Sequence, residues 1–253
     1  MTRGTPRWWK KLLGVLIALA VLAGAGELAL RLIVPGVIEN AVRSQLKLSG
    51  DHPVDVSLGG SALLNALRGG IGDVRVAVPE APIRDGIVAD AELAAGLVPF
   101  NPLNGEIRDG DVRVTVPQDQ LGPFVSLLTK GVATTGEVRD GNVVIGRSIS
   151  VLGQDIPLTI SLSVGVVDGD ILLEPQRVSA AGLDLTAEQI TEATGTLLDP
   201  VLHPEPVCVR DQLPAGVTIT EVTLSSTGSA IIDASLAPGI VSDPAQRAKG
   251  SCE

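Results

Sequence analysis

Two segments of the chain repeat the same alternation of valine with polar or small residues. Residues 73–79 read DVRVAVP and residues 111–117 read DVRVTVP. This period of two is typical of a strand with one buried face, and the closing proline lacks the N–H that a strand donates. The repeat is compatible with an internal duplication or with coincidence in a valine-rich chain. The predicted valine faces are Val74, Val76 and Val78, and Val112, Val114 and Val116.

Other strands follow from alternation and from turn residues. Residues 158–164 alternate aliphatic with Thr or Ser, and residues 218–225 and 229–236 flank a turn at Gly228. Asp-Gly between apolar runs is a hairpin signal, because Asp tolerates and Gly favours a positive φ. We therefore predict antiparallel hairpins at four Asp-Gly pairs. These are Asp85-Gly86, Asp109-Gly110, Asp140-Gly141 and Asp168-Gly169.

Four amphipathic helices are predicted between the strands. The first covers residues 37–46 and follows Pro35, which either begins it or kinks it away from the preceding segment. The second runs from Ser61, a candidate N-cap, to residue 67, and the fourth covers residues 186–198. The third places Leu121, Phe124, Val125 and Leu128 on one face. Together these elements predict an α+β fold in which a curved antiparallel sheet wraps around amphipathic helices.

The N-terminus resembles an export signal. Four basic residues and Trp8-Trp9 precede Leu12–Gly26, a run of fifteen residues without a charge. The segment is a signal anchor or a signal peptide cleaved after Ala25, and both interpretations place the remaining chain outside the cytoplasm. We expect three regions: residues 1–34 as basic tail and signal, 35–240 as an α+β domain, and 241–253 as a C-terminal tail.

Composition limits the chemistry that the chain can perform. Formal net charge is −10, and no basic stripe is present, which argues against nucleic-acid binding. The two histidines, His52 and His203, lie in predicted loops, and no nucleophile, nucleotide or zinc motif is present. Asp109–Asp111 and Asp168–Asp170 could suggest calcium, but turn chemistry already explains them. We therefore expect no enzyme activity, no cofactor and no metal.

The two cysteines, Cys208 and Cys252, lie in the last fifth of the chain. In an exported protein an even pair is most simply a disulfide. Such a bond would hold the C-terminal tail against the domain.

The aliphatic surface is the remaining candidate for function. Apolar residues make up 45% of the chain and aromatic residues only 2%. Most of this surface belongs to a packed core, but part of it could line a groove for acyl chains, which need branched aliphatic walls and few polar partners. The candidate lipid-contacting residues are Val74, Val76, Val78, Phe100, Val112, Val114, Val116, Leu121, Phe124 and Leu128.

Several segments in order resemble the LmeA-like phospholipid-binding family of actinobacterial cell envelopes. They are the membrane segment and amphipathic helix, VDVSL at 54–58 with its Gly-Gly turn, GDVRVAV at 72–78, the Arg-Asp-Gly hairpins, the helix around Phe124, and GQDIPL at 153–158. The resemblance implies export, phospholipid binding and a fold similar to the tubular lipid-binding domain of bactericidal/permeability-increasing protein, where a long helix lies against a curved sheet.

We accordingly expect an exported protein that binds phospholipid or another acyl-chain lipid and contacts the cytoplasmic membrane through its N-terminal segment. A structural or interaction protein of the cell envelope without a lipid ligand is the alternative. An esterase or glycan-processing enzyme is disfavoured by the missing catalytic motifs.

Overall fold

The structure is a computed structural model that describes residues 7–84, 86–101, 104–128, 135–151, 154–180, 183–186, 189 and 206–252. It begins with one long helix, α1 (Arg7–Leu46). The amphipathic segment predicted over residues 37–46 is the C-terminal part of this helix. Pro35 lies inside α1, where it removes one backbone hydrogen bond without ending the helix.

Eleven strands in the described ranges form two antiparallel sheets. The first sheet, sheet A, has the order β1-β2-β3-β4-β11-β10, and the second, sheet B, has the order β5-β6-β7-β8-β9. Sheet A contains β1 (Asp55–Leu58), β2 (Gly70–Arg84), β3 (Ile87–Pro99), β4 (Arg108–Val116), β10 (Val217–Leu224) and β11 (Ala230–Leu236). Sheet B contains β5 (Thr135–Arg139), β6 (Asn142–Val151), β7 (Gln154–Val167), β8 (Asp170–Ala180) and β9 (Leu183–Thr186).

In the part of the chain that the structure describes, shorter α-helices accompany the sheets: α2 (Ala62–Leu67), α3 (Gln118–Leu128) and α4 (Pro244–Arg247). Ser61 caps α2 as predicted, because its hydroxyl accepts a hydrogen bond from the Leu64 N–H at 3.3 Å. Helix α3 lies where the two sheets meet. A Cβ on Gly136 of β5 would stand only 2.7 Å from Val125 of α3, so this glycine permits the close approach of strand and helix.

Two Asp-Gly pairs that lie wholly within the described residues mark chain reversals, whereas Asp85 of a third pair lies outside them. Asp140 and Asp168 have φ values of 52° each, and the glycines that follow them have φ values of 73° and 83°. Positive φ at both positions is the type I′ geometry that joins two strands tightly, here β5 to β6 and β7 to β8. Gly86, with φ of 81°, lies between β2 and β3.

The hairpin predicted at Asp109-Gly110 is wrong. Both residues lie inside β4, and Gly110 pairs with Ala95 on one side and Leu236 on the other. Asp109 still has a positive φ of 50°, but it lies within the strand rather than at a turn. Glycine at position 110 allows β4 and β11 to pack closely, since a Cβ there would stand 3.1 Å from the Cβ of Leu236.

Two clusters of buried side chains hold the helices to sheet A. At one end, Ile38 and Val42 of α1 pack against Val54, Val74 and Val76. At the other end, Leu121 of α3 packs with a cluster that includes a fully buried valine of β4. This second cluster consists of Ala89, Val116, Leu121 and Ala230, with Val114, Phe124, Val138 and Leu224 at its margin.

The α+β class and the antiparallel pairing are confirmed, with the strands divided between two sheets. Cys208 and Cys252 form a disulfide with their Cα atoms 5.8 Å apart. The helix predicted over residues 186–198 falls almost wholly outside the described residues. His203 also lies outside them.

Candidate lipid-binding face

One face of sheet A is aliphatic across all six strands. Strand register places residues directly opposite one another, and directly opposite residues share a face. The central row of this surface, which we call the aliphatic face, runs from β1 to β10 in sheet order. Its members are Val56, Val76, Leu93, Val112, Ala234 and Ile219.

A second row lies beside the first, nearer α3. It consists of Val78, Ala91, Val114, Ile232 and Val222. Neither row contains a polar side chain, so the two rows form an unbroken strip of branched and small aliphatic groups. Such a strip can shelter a hydrocarbon chain, which offers no hydrogen bonds.

Helix α1 covers the β1–β2 side of the aliphatic face, α3 packs beside Val114, and the middle of the face is only half-buried. Val76 and Val78 lie in the core cluster beneath the C-terminal part of α1, with 7% and 4% of their surface exposed. In contrast, Leu93, Val112 and Ile232 in the middle of the face are half-buried. The half-buried middle is therefore the part of the face that a ligand can reach.

The structure separates the predicted lipid-contacting residues into three groups. Five are packed in the core: Val74, Val76, Val78, Val116 and Leu121. Three are half-buried: Val112, Val114 and Phe124. Phe100 is 55% exposed and lies beside the C-terminal end of α2, and the side chain of Leu128 is outside the described part of the structure.

Leu93 and Ile232 were missed by sequence reasoning. Leu93 stands in β3 among alanines and glycines, where the alternation is weak. Ile232 follows Ile231, so two consecutive isoleucines conceal which of them faces inward. The pairing of β11 with β4 resolves this, because Ile232 lies opposite Val114. Only the strand order supplies that information.

The opposite face of sheet A carries charge. It forms an open groove of about 810 Å³. Arg113 and Asp233 form a two-pronged ion pair across it, with N–O distances of 2.7 and 3.2 Å. Carboxylates outnumber guanidinium groups along this groove, so it does not suit an acyl chain. The charged lining residues are Asp55, Arg75, Glu92, Asp111, Arg113, Glu221 and Asp233.

Glu27 of α1 connects the long helix to α2. Its carboxylate accepts hydrogen bonds from the Leu63 N–H at 2.8 Å, the Ala62 N–H at 2.9 Å and the Ser61 hydroxyl at 2.9 Å. Arg31 lies one turn further along α1 and donates to the same carboxylate at 2.7 Å.

The other titratable groups with close partners serve structural roles. His52 Nε2 lies 2.8 Å from the Pro79 carbonyl, which ties the loop before β1 to β2. The buried carboxylate of Asp170 pairs with Arg210 at 2.9 Å, beside the disulfide at Cys208. Within the described ranges, no group of three or more His, Cys, Asp or Glu side chains could hold a metal ion.

Helix α1 is long and apolar enough from residue 17 to residue 46 to cross a membrane, judged by length and composition. Its large side chains before Glu27 are mostly exposed, including Leu19 at 57% and Leu22 at 69%. A signal anchor and a signal peptide both have this character. The disulfide is consistent with a location outside the cytoplasm.

The sequence was compared with known proteins and protein families. No curated protein and no solved structure matches it. The profile of the LmeA-like phospholipid-binding family matches residues 25–229, which is most of the chain and includes Glu27 and all strands of the aliphatic face except β11. The description of this family is phospholipid-binding. The chain therefore belongs to the LmeA-like phospholipid-binding family.

Proposed function

We propose that the protein shelters the acyl chains of a phospholipid on the half-buried middle of the aliphatic face. The observation that carries this proposal is the uninterrupted row from Val76 through Leu93 and Val112 to Ala234, in which Val76 lies beneath α1 while Leu93 and Val112 are half-buried. Each methylene that the face removes from water contributes about 0.8 kcal/mol. The long helix beside the sheet also supports a likeness to tubular lipid-binding domains.

We further propose that the domain resides at the outer face of the cytoplasmic membrane. Four basic residues precede the apolar segment, and such residues favour the cytoplasmic side. The N-terminus would then lie inside and the disulfide-bonded domain outside. Cleavage after Ala25, followed by release into the cell envelope, is the alternative topology, and N-terminal sequencing of the mature protein distinguishes the two.

Lipid binding is tested by native mass spectrometry of the full-length protein, purified in a mild detergent and mixed with a defined phosphatidylethanolamine. Val112→Trp fills the middle of the aliphatic face. Asp111→Trp places the same bulk on the neighbouring residue, which is exposed on the charged face. We expect the unmodified protein and Asp111→Trp to carry lipid, and Val112→Trp to carry at least several-fold less.

Equal lipid occupancy in both variants would show that the aliphatic face is not the lipid-binding site. Circular dichroism of both variants establishes that each remains folded. A protein that binds no phospholipid at all would favour the second candidate, an interaction protein of the cell envelope. The charged groove opposite the aliphatic face is the observation that supports this candidate, because its ion pairs suit a polar partner.

A further inference from the structure

Three large apolar side chains are exposed close together at one end of sheet A. Leu64 and Leu67 of α2 are 57% and 79% exposed, and Phe100 is 55% exposed. The Phe100 N–H donates to the carbonyl of Gly69, two residues after the end of α2, at 3.1 Å. We call Leu64, Leu67 and Phe100 the α2 patch. Exposed apolar clusters of this kind mark contact with a partner or a membrane.

Helix α2 is held against α1 where the apolar run Leu12–Gly26 ends. The Glu27 carboxylate binds the N-terminus of α2, and the Arg31 guanidinium donates to the carbonyl of Gly60 just before it. The two helices also pack together at this point, since Leu63 Cδ1 of α2 lies 3.9 Å from where a Cβ on Gly26 of α1 would stand. The α2 patch therefore has a fixed position next to the end of the apolar run.

The exposed apolar surface of α1 continues beyond Glu27. Leu28, Leu32 and Ile33 are 59%, 72% and 64% exposed, although α2 packs against the same stretch of helix. This surface is continuous along the chain with the apolar run. An exposed apolar surface thus extends along α1 from Ile17 to the level of α2.

We propose that the α2 patch is a second membrane contact, in which Leu64, Leu67 and Phe100 enter the interface of the outer leaflet beside α1. Leucine and phenylalanine are the residues that interfacial helices insert, and the exposed cation of Arg68 directly follows α2. The inference rests on the proposed membrane placement of α1 and is independent of acyl-chain binding on the aliphatic face. The contact of the α2 patch with the membrane holds sheet A at a defined distance from the bilayer.

The test uses the full chain reconstituted in vesicles of phosphatidylethanolamine and phosphatidylglycerol. A nitroxide label is attached at Leu67→Cys and, in a second variant, at Phe100→Cys. The matched control is Ile83→Cys, because Ile83 is also apolar and 45% exposed but lies near the far end of β2. Ile83 lies thirteen positions after Gly70 along β2, which is roughly 40 Å of extended chain.

Collision rates with oxygen, which concentrates in lipid, and with a water-soluble nickel chelate report the depth of each label. We expect the labels at residues 67 and 100 to meet the nickel chelate several-fold less often than the label at residue 83. Equal nickel accessibility at residues 67 and 83 overturns the proposal. Protection that disappears in nanodiscs holding one protein each also overturns it, because the patch would then be covered by a second copy.

Failure of this proposal is distinguishable from failure of lipid binding. Val112→Trp, combined with the label at residue 67, should lose the bound phospholipid and keep the label protected. If the label is protected in a protein that never carries phospholipid, the membrane contact is supported and only the proposed lipid-binding site is wrong.

Discussion

Glu27 of α1 accepts a hydrogen bond from the backbone N–H of Leu63, in the first turn of α2, at 2.8 Å. The first N–H groups of a helix lack partners within that helix, and a side chain or water must supply them. Ser61 does so for Leu64, whereas the carboxylate of a different helix does so for Ala62 and Leu63. The Glu27 carboxylate therefore joins α1 to the N-terminus of α2.

Replacing this carboxylate should loosen α2 without unfolding the domain. Glu27→Gln retains one acceptor oxygen but loses the negative charge beside the N-terminus of α2, where the helix dipole favours a negative charge. We expect faster hydrogen exchange at the Ala62 and Leu63 amides. Glu39→Gln is the control, because Glu39 contacts Arg43 within α1. Equal exchange at α2 in both variants would contradict the role assigned to Glu27.

The joint between α3 and β5 should not tolerate a methyl group. A Cβ on Gly136 would lie 2.7 Å from the Val125 side chain and 3.1 Å from the Leu121 carbonyl. We expect Gly136→Ala to lower the free energy of unfolding by about 1–3 kcal/mol. Gly165→Ala in β7 is the matched control, since the nearest atom there is 3.9 Å away. Chemical unfolding of both variants in detergent measures the difference.

Reducing the disulfide should destabilise sheet A as well as the C-terminus. The bond between Cys208 and Cys252 closes a loop of 44 residues that contains β10 and β11. Closing a loop of that size restricts the unfolded chain by about 4 kcal/mol. We expect Cys208→Ser with Cys252→Ser to lower the midpoint of thermal unfolding by several degrees. An unchanged midpoint in the double variant would assign the stability of this region to packing alone.

Sequence reasoning succeeded where one residue type dominates a local pattern. The valine alternation located β2 and β4, the Ser61 cap located α2, and Asp140-Gly141 and Asp168-Gly169 located tight turns. Each of these signals acts within a few residues. They can therefore be read without knowledge of the fold.

Sequence reasoning was insufficient where the outcome depends on distant partners. Asp109-Gly110 carries the same local signal as the other pairs, yet strands on both sides extend β4 through it. The roles of Leu93 and Glu27 likewise depend on elements far along the chain. The burial of Val76 against α1 could not be distinguished from the openness of Val112, because the two valines occupy near-identical sequence repeats.

The pairing of β4 with β11 has a consequence for folding during synthesis of the protein. Arg113 and Asp233, which face each other across these strands, are 120 residues apart, and all of sheet B lies between them. Contacts of such long range form slowly, and until they form the edge of β4 is an unpaired template for other strands. Synthesis of the chain must therefore be almost complete before β11 can pair with this edge. During that time the unpaired edge of β4, near the middle of the chain, needs protection against aggregation.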